Sequence, residues 1–285
     1  MGDLQALLQL DVPMLCRALS LDTREARIEV QMLLRSVLKV SRAYLLAHPE
    51  RELNEVEDAA YRALLARRLA GEPMAHILGE REFFGLNLKV TPATLIPRPE
   101  TELLVELALE RLPQRSGMRV LDLGTGSGAV ALSIAHERPD VEVVAVDASA
   151  AALAVARENA QRLELRNVSF LRSDWFSGLA GHSFDLIVSN PPYIAAGDEH
   201  LARGDVRFEP ISALVSGVDG LDDIRRITFG ACAHIQRGGW LLLEHGYDQA
   251  ATVRELLLAA GWGGVFSARD LGGIERVTAG QSGEI

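Results

Sequence analysis

The chain has 285 residues, of which 48% are hydrophobic and 24% are charged, a composition that excludes a disordered or fibrous protein and allows about two globular domains. Its longest stretch without Asp, Glu, Lys or Arg covers residues 123–136, which is too short for a transmembrane helix of about 20 residues. The formal net charge of −10 argues against a general nucleic-acid-binding protein, because such a protein needs a basic surface.

The N-terminal segment does not have the pattern of a secretory signal, since Asp3 stands where basic residues would be expected. The two cysteines, Cys16 and Cys232, have no paired spacing, so a disulfide framework is not expected. These features predict a cytoplasmic protein that makes no contact with a membrane.

Residues 1–73 are predicted to form a small helical domain. Asp22 stands where it can cap a helix whose apolar residues recur at helical spacing. Asn54 and Glu57, three residues apart, have the pattern of a capping box at the start of another helix. The sequence therefore predicts a bundle of short helices at this end of the chain.

Residues 74–93 are predicted to form a β-hairpin linker. Two short runs of β-forming residues, 76–78 and 86–90, are separated by a stretch that contains Gly85. A glycine between two such runs is typical of a hairpin turn.

Residues 94–285 alternate between predicted strands and helices, which indicates a doubly wound α/β domain with a mostly parallel, seven-stranded sheet. Runs such as residues 186–188 are apolar throughout, as in parallel strands that are buried on both faces. In this architecture ligands bind beyond the carboxyl ends of the strands. The predicted strands are residues 119–123, 141–147, 168–173, 184–189, 240–244, 265–269 and 276–278, with helices at 129–137, 149–163, 221–236 and 248–260.

A glycine-rich loop follows the first strand of this domain, and an acidic residue follows the second. The glycines allow a tight turn and a close approach of a ligand to the backbone. The carboxylate of Asp147 can accept hydrogen bonds from both hydroxyls of a ribose. The loop also satisfies a dinucleotide-binding pattern through Ala129, so an NAD enzyme is an alternative at this point. The loop consists of Gly124, Thr125, Gly126, Ser127 and Gly128.

Asp174 and Trp175 follow the third strand and therefore lie at the same edge of the predicted sheet. The Asp174 carboxylate can accept a hydrogen bond from the exocyclic amine of an adenine, and the Trp175 ring can pack on a purine. Core packing is an equally good explanation of Trp175.

The fourth strand ends in Asn190, Pro191, Pro192 and Tyr193, a corner that the two prolines make stiff. The side-chain oxygen of Asn190 and the carbonyl of Pro191 can each accept one hydrogen of a planar NH₂ group. That group is then held with its nitrogen lone pair towards an electrophilic methyl, while Tyr193 supplies an aromatic wall. Hydride transfer needs no such acceptors, so this corner favours methyl transfer over a dehydrogenase.

These segments resemble the class I S-adenosylmethionine-dependent methyltransferases that modify planar nitrogen. More narrowly, the chain is similar to the peptide chain release factor glutamine methyltransferases, the PrmC/HemK family, over nearly its whole length. The motifs that carry the narrower resemblance are TLIPRPETE at 94–102, NPPY at 190–193, RFEP at 207–210, DGL at 219–221, and Asp270-Leu271-x-Gly273-x-x-Arg276.

The resemblance implies methylation of the side-chain amide of the glutamine in the Gly-Gly-Gln motif of class 1 release factors, with S-adenosylmethionine as methyl donor. It implies that the glycine-rich loop holds the methionine part of the donor, Asp147 the ribose and Trp175 the adenine. Asn190 and Pro191 are the predicted catalytic residues. Asn190 is also predicted to contact the donor, together with the loop, Asp147, Asp174 and Trp175. The predicted substrate-binding residues are Asn190, Pro191, Pro192 and Tyr193.

No metal site is expected, since the histidines have no metal-ligand spacing. Direct binding of nucleic acid is not expected either, because of the net charge. Two other functions remain open. One is an adenine-N6 methyltransferase acting on nucleic acid, because such enzymes share the NPPY motif. The other is a module that binds the donor or a release factor without turnover.

Overall fold

The computed structural model describes residues 2–202 and 204–283. It divides into two compact units. The helical unit consists of Met1–Gly79 and Ala202–Phe208, and the sheet unit consists of Glu80–Leu201 and Glu209–Ile285. The domain limits predicted above, 1–73, 74–93 and 94–285, stay a prediction.

Among its described residues, the helical unit has five α-helices around one apolar core. The predicted cap at Asp22 and the predicted capping box at Asn54 begin the second and fourth helices, and Asp22 also forms a capping box, with Glu25. The core includes Leu15, Leu33 and Tyr61, each fully buried. The helices are α1 (Leu4–Leu19), α2 (Thr23–Leu38), α3 (Arg42–Ala47), α4 (Glu55–Leu69) and α5 (Met74–Leu78).

The prediction of a strand at residues 76–78 is wrong, because these residues form the end of α5. Pro73 precedes the first residue of this helix, and Gly79 ends it in the left-handed conformation. Ile77 packs into the helical core, so burial outweighs the strand preference of this short apolar run. The hairpin lies just after it, as β1 (Glu80–Phe83) and β2 (Leu86–Lys89).

The sheet unit contains the predicted seven-stranded, mostly parallel sheet, in the order β5-β4-β3-β6-β7-β9-β8. Strands β3 to β7 are parallel to one another, and β9 is antiparallel to both β7 and β8. The strands are β3 (Arg119–Leu123), β4 (Glu142–Asp147), β5 (Val168–Arg172), β6 (Phe184–Ser189), β7 (Ile235–Glu244), β8 (Gly263–Arg269) and β9 (Glu275–Gln281), and the helices are α6 (Glu102–Arg111), α7 (Ala129–Glu137), α8 (Ala150–Arg162), α9 (Asp222–Ala231) and α10 (Ala250–Ala259).

Both faces of the sheet are covered by apolar packing. Successive residues of β3 belong to different core clusters, with Val120 on one face and Leu121 and Leu123 on the other. This explains why runs in the central strands, such as residues 186–188, are apolar at successive positions.

The predicted helix at 221–236 is too long, because α9 ends at Ala231 and β7 already begins at Ile235. Ile235 pairs with Phe184 of β6, and the strand then continues through two glycines. A Cβ on Gly239 would lie 2.7 Å from the backbone oxygen of Asp185, so a glycine is needed at this close approach. Pairing with β6 therefore places these residues in a strand, although their sequence lacks the alternation that is typical of one.

Asn159 on α8 joins the hairpin to the glycine-rich loop. Its side-chain amide donates to the backbone oxygens of Lys89 and Ser127, at 2.9 Å each, and its oxygen accepts from the Lys89 N–H at 2.7 Å. Asn159 is almost fully buried, so water cannot replace these bonds. The loop that follows β3 is thus held by a side chain from α8.

We expect Asn159→Asp to lower the free energy of unfolding by about 1–3 kcal/mol, because a carboxylate cannot donate the two bonds and leaves two buried carbonyls without a donor. Urea unfolding measures this loss. The matched control is Glu158→Gln, which removes an exposed ion pair with Lys89 and is expected to cost about 1 kcal/mol or less. Equal losses for the two variants would contradict the role of Asn159.

No helix within residues 2–202 and 204–283 is both long enough and apolar enough to cross a membrane.

Candidate functional site

A cavity of about 500 Å³ lies at the carboxyl ends of β3, β4, β5 and β6. Because these strands are parallel, the loops that follow them meet at one edge of the sheet. Most of the residues predicted to bind ligands line this cavity. They are Gly124, Thr125, Gly126, Ser127, Asp147, Asp174, Trp175, Asn190 and Pro192.

Three predicted residues, Gly128, Pro191 and Tyr193, are not among the residues that line the cavity. Gly128 precedes α7, and a Cβ there would lie 2.9 Å from the Leu132 side chain. Its small size therefore serves the packing of the loop on the helix. Pro191 is buried, and Tyr193 is half-buried behind the corner.

Backbone conformation and hydrogen bonds fix the glycine-rich loop. Gly124 and Gly126 have φ angles of 74° and 56°, in the left-handed region that favours glycine. The N–H groups of Gly124 and Thr125 both donate to the backbone oxygen of Val146, at 2.9 Å each. The loop after β3 is thereby tied to the end of β4.

The Asp147 carboxylate lies at the end of β4 and accepts two backbone hydrogen bonds. Oδ2 accepts from Gly126 N–H at 2.9 Å, and Oδ1 accepts from Ser149 N–H at 2.8 Å. Each carboxylate oxygen can accept about two hydrogen bonds, so both oxygens keep the capacity for a further donor. This arrangement fits the two hydroxyls of a ribose.

Asp122, the last residue but one of β3, lies beneath the loop and also lines the cavity. Burial raises the pKa of its carboxyl to about 7, although hydrogen bonds from the Thr125 hydroxyl and from Ala131 N–H act in the opposite direction. The nearby Asp147 carboxylate raises the pKa further. Asp122 stands two residues before the glycine-rich loop, and the sequence analysis gave it no role in the site.

Trp175 and Asp174 are held by partners that sequence reasoning missed. Trp175 has a φ of 49°, and its indole N–H donates to Asp223 at 3.0 Å. Its ring lies 3.4 Å from the position of a Cβ on Gly124, so the ring packs against the loop. The exposed Asp174 carboxylate pairs with Arg226, which also lines the cavity. Both predicted adenine-binding residues are therefore oriented from α9.

Asn190 presents an unused acceptor at the cavity. Its side-chain NH₂ donates to the Thr101 hydroxyl at 3.1 Å, while its Oδ1 is buried and has no hydrogen-bond partner in the described part of the chain. A buried acceptor without a donor costs about 1–3 kcal/mol. A ligand that brings an N–H group to Oδ1 would recover this free energy.

The backbone behind the corner is held by Gln249, the residue before α10, and by a required glycine. The Tyr193 backbone oxygen accepts from the Gln249 side chain at 3.0 Å. A Cβ on Gly220 would lie only 2.3 Å from this oxygen, so no other residue fits there. Gly220 belongs to the DGL motif, and this contact gives the motif a structural reason.

Glu244, the last residue of β7, lies behind the same corner. Burial raises the pKa of its carboxyl to about 7, and the Thr101 hydroxyl, acting as a hydrogen-bond donor, opposes that rise. The Tyr193 hydroxyl is 3.5 Å from Oε1, whereas Oε2 has no partner within the described ranges. Burial also raises the pKa of the Tyr193 hydroxyl.

The RFEP motif anchors the loop that contains TLIPRPETE. Glu209 accepts from Ile96 N–H at 3.2 Å, and it forms an ion pair with Arg98. Thr94 and Leu95 of this loop line the cavity. Through Glu209, this motif is therefore joined to the loop that forms a wall of the cavity.

Comparison with known proteins identifies the family. Residues 17–79 match the PrmC N-terminal domain, and residues 101–205 match the methyltransferase small domain. Release factor glutamine methyltransferase of Bordetella pertussis is 56% identical over 89% of this chain and 94% of its own length. The enzyme of that name from Pseudomonas aeruginosa is 54% identical over 91% of this chain and 94% of its own length.

A solved structure supports the fold. A methyltransferase from Pyrococcus furiosus aligns with a TM-score of 0.54 and 21% identity, over 77% of this chain and 98% of that one. Together with the strand order, this confirms the predicted class I methyltransferase fold. From its identity to the curated relatives over nine-tenths of its length, the chain belongs to the family of release factor glutamine methyltransferases.

Proposed function

We propose that this protein methylates the side-chain amide nitrogen of a glutamine in class 1 peptide chain release factors, with S-adenosylmethionine as the methyl donor. The target is the glutamine of the Gly-Gly-Gln motif, and the reaction takes place in the cytoplasm. Family membership supports the substrate class, and the observation that carries the chemistry is the buried, unpartnered Oδ1 of Asn190 at the cavity.

The site residues fit the donor. The glycine-rich loop presents backbone where the methionine part would lie, and Asp147 keeps acceptor capacity for the ribose hydroxyls. Trp175 and Asp174 lie on the same side of the cavity as α9 and are assigned to the adenine. Asn190 lines the same cavity, so a substrate amide held there lies beside the methyl group.

The role of Asn190 and Pro191 is to hold the substrate NH₂ group. The Asn190 Oδ1 accepts one N–H, and the Pro191 carbonyl is assigned the other. The amide nitrogen then attacks the methyl carbon, the carbon–sulfur bond breaks, and its electron pair leaves with S-adenosylhomocysteine. The methylated nitrogen loses a proton to water, so no strong base is needed. Orientation supplies the rate enhancement, for which about 7–11 kcal/mol is available in well-placed reactions.

We propose further that the protein does not bind nucleic acid directly. The formal net charge of −10 supports this, because nucleic-acid binding depends on the neutralisation of phosphates by basic residues. This favours a protein substrate over the adenine-N6 alternative.

Purified protein is expected to transfer a labelled methyl group from S-adenosylmethionine to a class 1 release factor, and not to a copy in which the Gly-Gly-Gln glutamine is alanine. Asn190→Ala should lower turnover by about 100-fold, because the substrate nitrogen is no longer oriented, while the Kd of the donor changes little. Asn87→Ala, at an exposed hairpin position, is the control and should keep wild-type turnover. Label on nucleic acid and on neither release factor would contradict the proposal.

The donor should bind more tightly as the pH rises through about 7. Ionisation of Asp122, whose pKa burial raises to about 7, places a negative charge at a cavity that receives a sulfonium cation. We expect the Kd measured by calorimetry to fall by up to about 10-fold between pH 6 and pH 8. Asp122→Asn should remove most of this change. S-adenosylhomocysteine, which has no sulfonium charge, should show a smaller one, and an equal pH dependence for both ligands would contradict the charge argument.

A further inference from the structure

The carboxylate of Asp223, near the start of α9, forms hydrogen bonds with two separate parts of the site. Its Oδ1 accepts from the Trp175 indole N–H at 3.0 Å, and its Oδ2 accepts from the Ser216 hydroxyl at 2.8 Å. The Asp223 N–H in turn donates to Ser216 Oγ at 2.7 Å, so the serine is held by two bonds. Asp223 lines the cavity, whereas Ser216 is 2% exposed and is not among the lining residues.

The bond to Oδ1 fixes the aromatic ring that is assigned to the adenine. The φ of Trp175, 49°, lies in a region that is unfavourable for residues other than glycine, so other contacts must hold this residue in place. The Ser173 hydroxyl donates to the Trp175 backbone oxygen at 2.6 Å, but this bond does not set the side-chain torsions. An indole has a single N–H to donate, and here it goes to Asp223. This bond and the packing on Gly124 orient the ring.

The bond to Oδ2 holds the chain directly after the NPPY corner. Ile194, which follows Tyr193, forms a parallel bridge with Val215. Its N–H donates to the Leu214 oxygen at 2.8 Å, and its own oxygen accepts from Ser216 N–H at 3.0 Å. The Ser216 side chain attaches this segment to α9. The backbone next to the corner is therefore fixed through the same carboxylate as the aromatic ring.

Both partners of the carboxylate require an acceptor. An indole N–H can only donate, and the Ser216 oxygen already accepts an N–H, so its hydrogen is left to donate. A carboxylate provides one oxygen for each of these donors. The Arg226 guanidinium lies 3.7 Å from Oδ1 as an ion-pair partner, and both hydrogen bonds are present beside it. A side chain without an acceptor at this position would release both partners.

We propose that Asp223 is a positioning residue shared by the donor-binding and the substrate-binding parts of the site. Through Oδ1 it orients the Trp175 ring for the donor, and through Oδ2 and Ser216 it holds the NPPY corner for the substrate amide. This inference rests on the proposed function, which assigns the adenine to Trp175 and the glutamine amide to the corner. It adds to the site one residue of α9 and one residue of the segment before it.

The first test breaks the contact with the corner alone. Ser216→Ala should lower kcat of methyl transfer to a class 1 release factor by about 10-fold, because the corner that orients the substrate amide is less well fixed. The Kd of S-adenosylmethionine should change by less than about twofold, since the bond to Trp175 stays. The matched control is Ser133→Ala, a fully buried serine of α7 with one hydrogen bond, which should keep the wild-type kcat.

The second test breaks both contacts. Asp223→Ala should raise the Kd of S-adenosylmethionine by about 3- to 10-fold, because the ring must then be ordered when the donor binds. At saturating donor it should also lower kcat by about 10-fold, as Ser216→Ala does. Asp222→Ala removes the neighbouring, exposed acid of α9 and should keep both wild-type values.

Double variants separate a shared positioning role from general damage to the fold. Trp175→Phe lacks the indole N–H and has a smaller ring, so it weakens donor binding by itself. Adding Asp223→Ala to it should change the donor Kd by less than about twofold, and adding Asp223→Ala to Ser216→Ala should change kcat by less than about twofold. Trp262→Phe, which removes a buried indole hydrogen bond outside the cavity, is the control for the aromatic substitution.

A readout without substrate distinguishes this inference from the proposed function. The chain has three tryptophans, so the indole N–H signal of Trp175 can be assigned by NMR through its absence in Trp175→Phe. This N–H should exchange with solvent at least about tenfold faster in Asp223→Ala than in wild type or in Ser216→Ala. The backbone N–H of Ser216 should exchange faster in Asp223→Ala and in Ser216→Ala, and at the wild-type rate in Trp175→Phe.

Each result decides a different point. The expected exchange rates together with no methyl transfer by the wild-type protein would overturn the proposed function and, with it, the assignment of the two contacts to donor and substrate. An active wild-type protein with equal exchange rates in all variants would overturn the positioning role alone. So would a Ser216→Ala variant that weakens donor binding as much as turnover, or losses that add fully in the double variants.

Discussion

The parallel pairing of β3 with both β4 and β6 is the constraint on which the site depends. The order in which the chain adds strands to the sheet changes direction at β3. Strands β4 and β5 lie on one side of β3, and β6 and β7 lie on the other. Neighbouring strands are about 4.8 Å apart, so the loops after β3, β4 and β6 are brought within one ligand length. The glycine-rich loop, Asp147 and Asn190 therefore meet at one cavity although they span almost seventy residues of sequence.

The same edge of the sheet buries two carboxyl groups, and this has an energetic consequence. Burial raises the pKa of both Asp122 and Glu244 to about 7, so their ionised forms are disfavoured in the folded protein. For an acid whose folded pKa is raised, stability falls as the pH rises from the unfolded pKa to the folded one. The apolar layers on the two faces of the sheet offset this loss. A fold that keeps such groups gives up stability at its functional site.

The sequence predicts well what depends on neighbours along the chain. The parallel strands, the capping boxes and the turns at Gly124 and Gly126 follow from local spacing, and NPPY is stiff by its own composition. The predictions of a strand at residues 76–78 and of a helix over all of 221–236 were wrong. Burial in the helical core decides the first segment, and pairing with β6 decides the end of the second. Spacing gives no signal for contacts such as that of Asn190 with Thr101, which are 89 residues apart.

Under the proposed function, there is a chemical reason to hold the substrate amide with a neutral acceptor and not with a carboxylate. A carboxylate oxygen is a stronger nucleophile than an amide nitrogen, so a carboxylate placed against the reactive methyl would compete with the substrate for it. A neutral acceptor such as the Asn190 oxygen orients an N–H group without this competition. The other end of the Asn190 amide is held as well, because its NH₂ group donates to the Thr101 hydroxyl at 3.1 Å. The buried Glu244 carboxyl is not among the residues that line the cavity, so it does not compete for the methyl group.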